Sequence, residues 1–233
     1  MRPKCTLEIS VESVEAALAA ERGGADRIEL CGNLSVGGVT PSAELMRAIR
    51  AQLRIPIFMM IRPRPGDFVY SAAEFDVMKK EIESAKQFCM SGVVLGILDS
   101  HHRIDVVRTR ELIELAGPLP TTFHRAFDEC GNLLQALEDV IGTGAEQILT
   151  SGGAPTALEG AAMLTSLVAA AQDRIVILPG AGINASNVAE IAQRIGTREI
   201  HSGLGSTLPY GSRDYKGLED EVRKLAQVLS GLP

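Results

Sequence analysis

The sequence predicts a TIM (β/α)8 barrel, an α/β fold in which residues 1–233 make a single domain. Three observations carry that prediction. Eight short apolar segments alternate with longer amphipathic stretches. Strand starts recur roughly every 28 residues, the length of one βα unit in a barrel of about 250 residues. A glycine also recurs just ahead of a strand, as in Gly24-Ala25-Asp26-Arg27-Ile28, Gly144-Ala145-Glu146-Gln147-Ile148 and Gly196-Thr197-Arg198-Glu199-Ile200. Glycine supplies a left-handed helix cap there.

In chain order the strand-length segments are Cys5 to Ile9, Arg27 to Leu30, Ile57 to Ile61, Val93 to Leu95, Thr121 to Phe123, Gln147 to Leu149, Ile175 to Leu178 and Glu199 to His201. Several are rich in Val, Ile, Phe and Thr, which fit a pleated surface. The stretches between them read as helices. Ser13 can cap a helix over Val14 to Arg22, and Ser42 one over Ala43 to Ala51. Pro41 holds the preceding residue extended and so helps set the second boundary. An open doubly wound sheet is the rival architecture, but it usually holds fewer strands and needs a topological switch.

Composition narrows the function. With 45% hydrophobic and 22% charged residues, the chain is of ordinary globular type. A net charge of −6 argues against nucleic acid and against an anionic membrane surface. No targeting segment is expected, since Arg2-Pro3-Lys4 leads straight into an alternating stretch, and a cytoplasmic location follows. The four cysteines, Cys5, Cys31, Cys89 and Cys130, form no CxxC pair and are expected to be reduced. No lysine falls at a strand C-terminal end, which excludes a Schiff-base aldolase.

Barrel chemistry sits where strands end and βα loops begin. Alternation turns Leu7, Ile9, Ile28 and Leu30 toward the helices, leaving Glu8, Ser10, Glu29 and Cys31 facing the axis. Arg62 ends the third strand, His124 and Arg125 the fifth, and His201 the eighth. Glu8, Glu29, Arg62, His124 and His201 are therefore the candidate catalytic residues. Buried on an axis they must neutralise one another or a ligand. The opposite rim offers little comparable besides Lys4 and Arg27. A structural role for the ring, as paired charges filling the axis, is the competing reading.

The later loops add an anion signal. Pro179-Gly180-Ala181-Gly182 follows the seventh strand and Ser202-Gly203-Leu204-Gly205-Ser206 the eighth, with Thr150-Ser151-Gly152-Gly153 after the sixth. Small residues let backbone N–H groups approach an oxyanion. Arg125, Ser151, Gly152, Gly180, Gly182, Gly203 and Gly205 are the candidate anion-binding residues. Glycines serving only tight turns are the alternative.

Several strings resemble the CutC family: Gly23-Gly24-Ala25-Asp26-Arg27-Ile28-Glu29-Leu30-Cys31, Gly37-Gly38-Val39-Thr40-Pro41-Ser42, Ile61-Arg62-Pro63-Arg64, Gly66-Asp67-Phe68, Thr122-Phe123-His124-Arg125-Ala126-Phe127-Asp128 and Leu149-Thr150-Ser151-Gly152. The resemblance runs over nearly the whole chain. It implies a TIM barrel, a cytoplasmic homodimer and a role in copper homeostasis. It also implies copper as a ligand, with Cys31 as the metal-binding residue. The sequence departs from the family at two places. Ser10 stands where some members carry a second cysteine, and Cu(I) usually takes more than one soft ligand. The region after the eighth strand, Thr207 through Tyr215, is short, so a lid or interface element is expected to be curtailed.

Two functional classes follow for the partner, a metal ion or a small anionic ligand. One is a copper-handling protein centred on Cys31, with Glu29 and His124 nearby. The other is an isomerase- or lyase-type enzyme on a small anionic or phosphorylated metabolite. There Arg62 and the late loops hold the anion, Glu8 or Glu29 is general base and His124 partner acid. A non-catalytic scaffold or ligand sensor is a third reading.

Overall fold

The computed structural model describes residues 5–205 and 207–232, so Lys4 and Ser206 lie outside it. Eight strand–helix units follow one another: β1 (Thr6–Val11), α1 (Val14–Gly23), β2 (Arg27–Leu30), α2 (Ala43–Arg50), β3 (Ile57–Met60), α3 (Ala72–Gln87), β4 (Gly92–Leu95), α4 (Val106–Ala116), β5 (Thr121–Phe123), α5 (Leu133–Ile141), β6 (Gln147–Thr150), α6 (Ala161–Ala171), β7 (Val176–Pro179), α7 (Val188–Ile195), β8 (Glu199–Ser202) and α8 (Tyr215–Ser230). Short 3-10 turns at Leu34–Val36 and Arg125–Glu129 interrupt the second and fifth βα loops. The expected strand segments agree with these to within one or two residues.

All the strand pairings are parallel, in the order β7-β6-β5-β4-β3-β2-β1-β8. β7 and β8 pack side by side and complete a TIM barrel. Side chains help to join that seam: Thr197 Oγ1 donates to the Ile177 carbonyl at 2.8 Å, and Ser202 Oγ to the Ile183 carbonyl at 2.6 Å.

Local chemistry sets the boundaries. Ser13 accepts the Ala16 N–H at 3.1 Å and opens α1, while Gly24, at φ 99°, closes it in the left-handed region. Ser71 and Glu74 form a reciprocal capping box at the start of α3. Leu7, Ile9, Ile28 and Leu30 join the apolar layer between sheet and helices, as the alternation required.

What fills the lower axis is polar. Arg27 donates from Nε to Glu8 Oε2 at 2.5 Å, and from Nη2 to Glu199 Oε2 at 2.8 Å and Gln147 Oε1 at 3.2 Å. Gln147 also donates to Glu199 at 3.1 Å and accepts from Thr122 Oγ1 at 2.9 Å. The guanidinium lies 4.5 Å from the centre of the Phe58 ring. Phe58 has room there because its partner on β4 is Gly92, where a Cβ would come within 2.7 Å of the ring. Arg27 is thus no rim residue, as the sequence suggested, but part of a buried plug.

Removing one partner of a buried pair strands the other charge, which typically costs about 3–5 kcal/mol. Arg27→Ala should therefore lower stability by about that much in urea unfolding. Adding Glu8→Gln should recover part of the loss. A loss below about 1 kcal/mol for Arg27→Ala would show that the plug is dispensable.

Candidate functional site

Above the plug, β-strand ends and βα loops enclose a cavity of about 190 Å³. Glu29, Arg62, His124 and His201 reach it from β2, the end of β3, the end of β5 and β8. Ser10, Arg125, Phe68 and Tyr210 also line it, with Ala181 to Ile183 and Gly203 to Gly205 from the last two βα loops.

Glu8 lies beneath the cavity and does not line it. Parallel register sets Glu8 opposite Arg27 on one side and His201 on the other. One oxygen takes the Arg27 bond and the other meets His201 Nδ1 at 2.7 Å. Burial penalises this carboxylate most, but the His201 hydrogen bond and the Arg27 charge outweigh it and lower its pKa. The expectation of Glu8 as a general base is revised, because neither oxygen is free.

His201 is the link between plug and cavity. Burial opposes its charged form, yet the charges of Glu29 and Glu8 and the Glu8 hydrogen bond prevail, and its pKa is raised. Its Nε2 lies 3.9 Å from Glu29 Oε2. Burial pushes the Glu29 carboxyl up, and the nearby Glu8 charge adds to that against the pull of His201. The Cys31 thiol donates to Glu29 Oε2 at 3.5 Å. Glu29 Oε1 is buried with no partner among the described residues.

Arg62 spends most of its donors on backbone. Nη1 donates to the Val36 and Gly38 carbonyls at 3.1 and 2.9 Å, and Nη2 to that of Gly66 at 2.7 Å. It therefore pins the loops after β2 and β3 together, its guanidinium 4.8 Å from the centre of the Phe68 ring. Its Nε is buried with no partner among the described residues.

His124 is held on two sides. Its Nδ1 accepts the Ala126 N–H at 3.2 Å, which puts the proton of the neutral ring on Nε2. Gly96 leaves it space, since a Cβ there would meet the ring at 2.6 Å. Burial and, next, the Arg62 charge lower its pKa to about 3. The expectation of His124 as partner acid is revised. It is a neutral donor whose buried Nε2 has no partner among the described residues.

The loop after β6 already holds an anion of its own, the Asp128 carboxylate. Asp128 accepts from Thr150 Oγ1 at 2.5 Å, Ser151 Oγ at 3.0 Å, Ser151 N–H at 3.1 Å and Gly153 N–H at 3.0 Å. It also takes the Arg125 Nε bond at 2.8 Å, while Arg125 Nη2 donates to Ser151 Oγ at 3.1 Å. Ser151 and Gly152 are thus removed from the cavity, and the Gly180 N–H is spent on the Thr150 carbonyl at 3.0 Å. Gly182, Gly203 and Gly205 do line it. Ala181 and Gly182 are both left-handed, at φ 79° and 69°. The N–H groups of Ala181, Gly182 and Ile183 carry no hydrogen bond among the described residues.

Metal ligation was tested against the same geometry. Ligand atoms of Glu8, Glu29 and His201 lie within 4.8 Å of one another. They could hold a metal ion, but both Glu8 oxygens are already engaged, by Arg27 and His201, and the His201 pKa is raised, so an ion there would have to displace those bonds and any proton on the ring. Cys31 is fully buried among Phe58, Met60 and Val94 and does not line the cavity. Burial and the Glu29 charge push its thiol well up, away from the thiolate a metal needs. Met60 is its one sulfur neighbour in that cluster. These residues do not fit a preformed copper site.

Arg27, Asp128 and Tyr210 complete the site and were not singled out for it from the sequence. Arg27 had a signal, since it shares strand parity with Glu29. Asp128 follows Arg125 at a spacing that suits a tight turn, and Tyr210 had no signal.

The CutC family model matches residues 5–206. The chain belongs to the CutC family. It is 44% identical over 236 residues to a CutC family protein of Xylella fastidiosa, covering 96% of this chain and 88% of that one. The copper homeostasis protein cutC homolog of Homo sapiens is 44% identical over 207 residues, covering 89% and 76%. The CutC crystal structure from Streptococcus agalactiae superposes with a TM-score of 0.81 at 31% identity, covering 85% and 98%. Phosphoribosylanthranilate isomerase of Thermotoga maritima, at 17% identity and a TM-score of 0.65, shares the fold alone. Among the described residues of this CutC barrel, no helix is long and apolar enough to cross a membrane.

His201 offers a check on the electrostatics. Its stabilising contribution is complete below the ordinary imidazole value of 6.5 and is lost as pH rises through its raised folded value. The urea midpoint should fall over that window, and His201→Gln should remove that part of the slope. His124 should stay neutral at pH 6 by ¹⁵N NMR, with its proton on Nε2. A His124 titration near 6.5 would contradict the assignment.

Proposed function

We propose that this chain serves copper homeostasis, the role its human relative is named for, through a barrel mouth that binds a small organic oxyanion. The supporting observation is that three residues lining one cavity each keep a buried polar atom without a partner among the described residues: Glu29 Oε1, Arg62 Nε and His124 Nε2. A buried polar atom without a partner costs about 1–3 kcal/mol, so three around one space are a ligand's complement. Arg62 and His124 are donors, and Ala181 to Ile183, whose N–H groups carry no hydrogen bond among the described residues, line the same cavity. The mouth suits an oxyanion with a carbonyl close by.

Proton transfer is the chemistry these groups support. Among the described residues Glu29 is the one carboxyl lining the mouth, its Oε1 has no partner there, and its raised pKa brings it toward the working range of a general base. It would take a proton from carbon beside the carbonyl, and the enolate oxygen would accept from His124 Nε2–H and Arg62 Nε–H. Where that carbon also carries a hydroxyl, Glu29 would return the proton to the former carbonyl carbon while the hydroxyl proton passes to the enolate oxygen, which gives isomerisation with the carbonyl moved by one carbon. His201, under Glu29, would stabilise its anionic form. Copper tolerance would then follow from the level of a metabolite and not from a resident ion.

A second reading, copper held by Cys31, draws on the packing of Cys31 against Met60 and on its bond to Glu29. It requires Glu29 or solvent to take the thiol proton on binding. Free Cys5, Cys31, Cys89 and Cys130 support a cytoplasmic place, and the family resemblance supports a homodimer.

Calorimetry with acetate and inorganic phosphate tests the main reading. Wild type should bind at least one of them, and His124→Ala should weaken it by about tenfold, the worth of one charge-assisted hydrogen bond. Affinity should fall as pH rises through the raised Glu29 pKa, because the ionised carboxylate repels the anion, and Glu29→Gln should flatten that fall. No binding by either anion would sink the reading. Stoichiometric Cu(I) binding that vanishes in Cys31→Ala would favour the copper-site reading instead.

A further inference from the structure

A second cavity of about 310 Å³ lies beneath the segment that joins β8 to α8. The two cavities share Ser10, Leu34, Gly203, Leu204 and Tyr210 as walls, so they are adjoining lobes. Alone, the first lobe is below the roughly 300–1,000 Å³ usual for ligand clefts, and the two joined fall within that range.

Both lobes mix polar and apolar walls. The first is lined by Glu29, Arg62 and His124, each of which keeps a buried polar atom without a partner among the described residues. The second is walled by Leu204, Leu208, Pro209, Tyr215 and Leu218. Its polar members are largely spent on the backbone. Glu12 accepts the Leu34 N–H at 2.7 Å, Ser13 the Ala16 N–H at 3.1 Å, and Asp214 the Gly217 N–H at 2.8 Å. Ser212 accepts the Asp214 N–H at 3.1 Å, while Ser10 at the shared wall and the exposed Arg213 also line the lobe, so its leucines, Pro209 and the Tyr215 ring supply the apolar surface for a ligand. Tyr210 stands at the junction, its ring so close to Gly205 that a Cβ there would lie 2.6 Å from the hydroxyl. Short as it is, the segment after β8 still roofs this lobe.

We propose that the ligand is amphiphilic, an oxyanion head in the first lobe carrying an uncharged hydrocarbon portion into the second, with Tyr210 setting the passage between them. This rests on the reading of the mouth as an oxyanion site. Each methylene taken out of water strengthens binding roughly threefold to fourfold, so chain length is a sensitive probe.

The test compares methyl phosphate with hexyl phosphate, and acetate with hexanoate, by calorimetry on the full chain. In whichever series binds, the six-carbon member should bind at least tenfold tighter. Leu208→Trp, which fills the second lobe, should shrink that ratio to below threefold and leave the short member unchanged. Leu218→Gln should do the same by making the lobe polar, and so covers the case in which the first variant fails to fold. Tyr210→Ala should widen the passage and admit 4-phenylbutyrate more tightly than wild type does. Equal affinity for short and long members overturns the amphiphilic ligand and leaves the oxyanion site standing. Failure of every member of both series to bind overturns the oxyanion reading, and this inference with it.

Discussion

Glu8 is a carboxylate with no exposure at all, held between Arg27 from β2 and His201 from β8. Those three residues sit on adjacent strands in matched register, so the ion pairs depend on the pairing of β1 with β2 and with β8. A one-residue slip of β2 would turn Arg27 outward and leave a buried negative charge. The same contacts, with the Glu29 charge, raise the His201 pKa against the cost of burial, and His201 in turn stands beneath Glu29. The lower axis thus sets both the floor of the cavity and its electrostatics.

The site divides into polar atoms that are used up and polar atoms that are not. Arg62 gives its terminal nitrogens to three loop carbonyls, and His124 gives Nδ1 to the Ala126 N–H. Such bonds immobilise a side chain and leave one atom of fixed direction, which is how a preorganised site is built. Asp128 does similar work outside the cavity by holding the β6 loop and Arg125. The apparent metal trio falls on the used-up side of this division, whereas Glu29 Oε1 falls on the other.

Much of the barrel was legible in the sequence because its signals are local. Strand parity sorted Leu7, Ile9, Ile28 and Leu30 from Glu8 and Glu29, and Ser13, Ser42 and Gly24 marked helix ends by their own capping chemistry. Roles within the site were less legible. That Glu8 is saturated depends on Arg27 and His201, which are distant in sequence. The neutral state of His124 depends on burial and on Arg62, neither of which a strand-end position reveals. The glycines of the β6 loop looked like an anion cradle because nothing local shows that Asp128 already fills it. The junction at Tyr210 arises from a loop folding back over Gly205, for which residue order carries no pattern.

The central claim is that the unpartnered atoms of Glu29, Arg62 and His124 await a small oxyanion. A crystal structure of the chain grown with methyl phosphate measures this most directly. The account expects an anion oxygen within hydrogen-bond distance of both His124 Nε2 and Arg62 Nε, with Glu8, Arg27 and His201 unmoved beneath it. An ordered metal ion coordinated by Cys31, or a cavity that excludes the anion at saturating concentration, would contradict it.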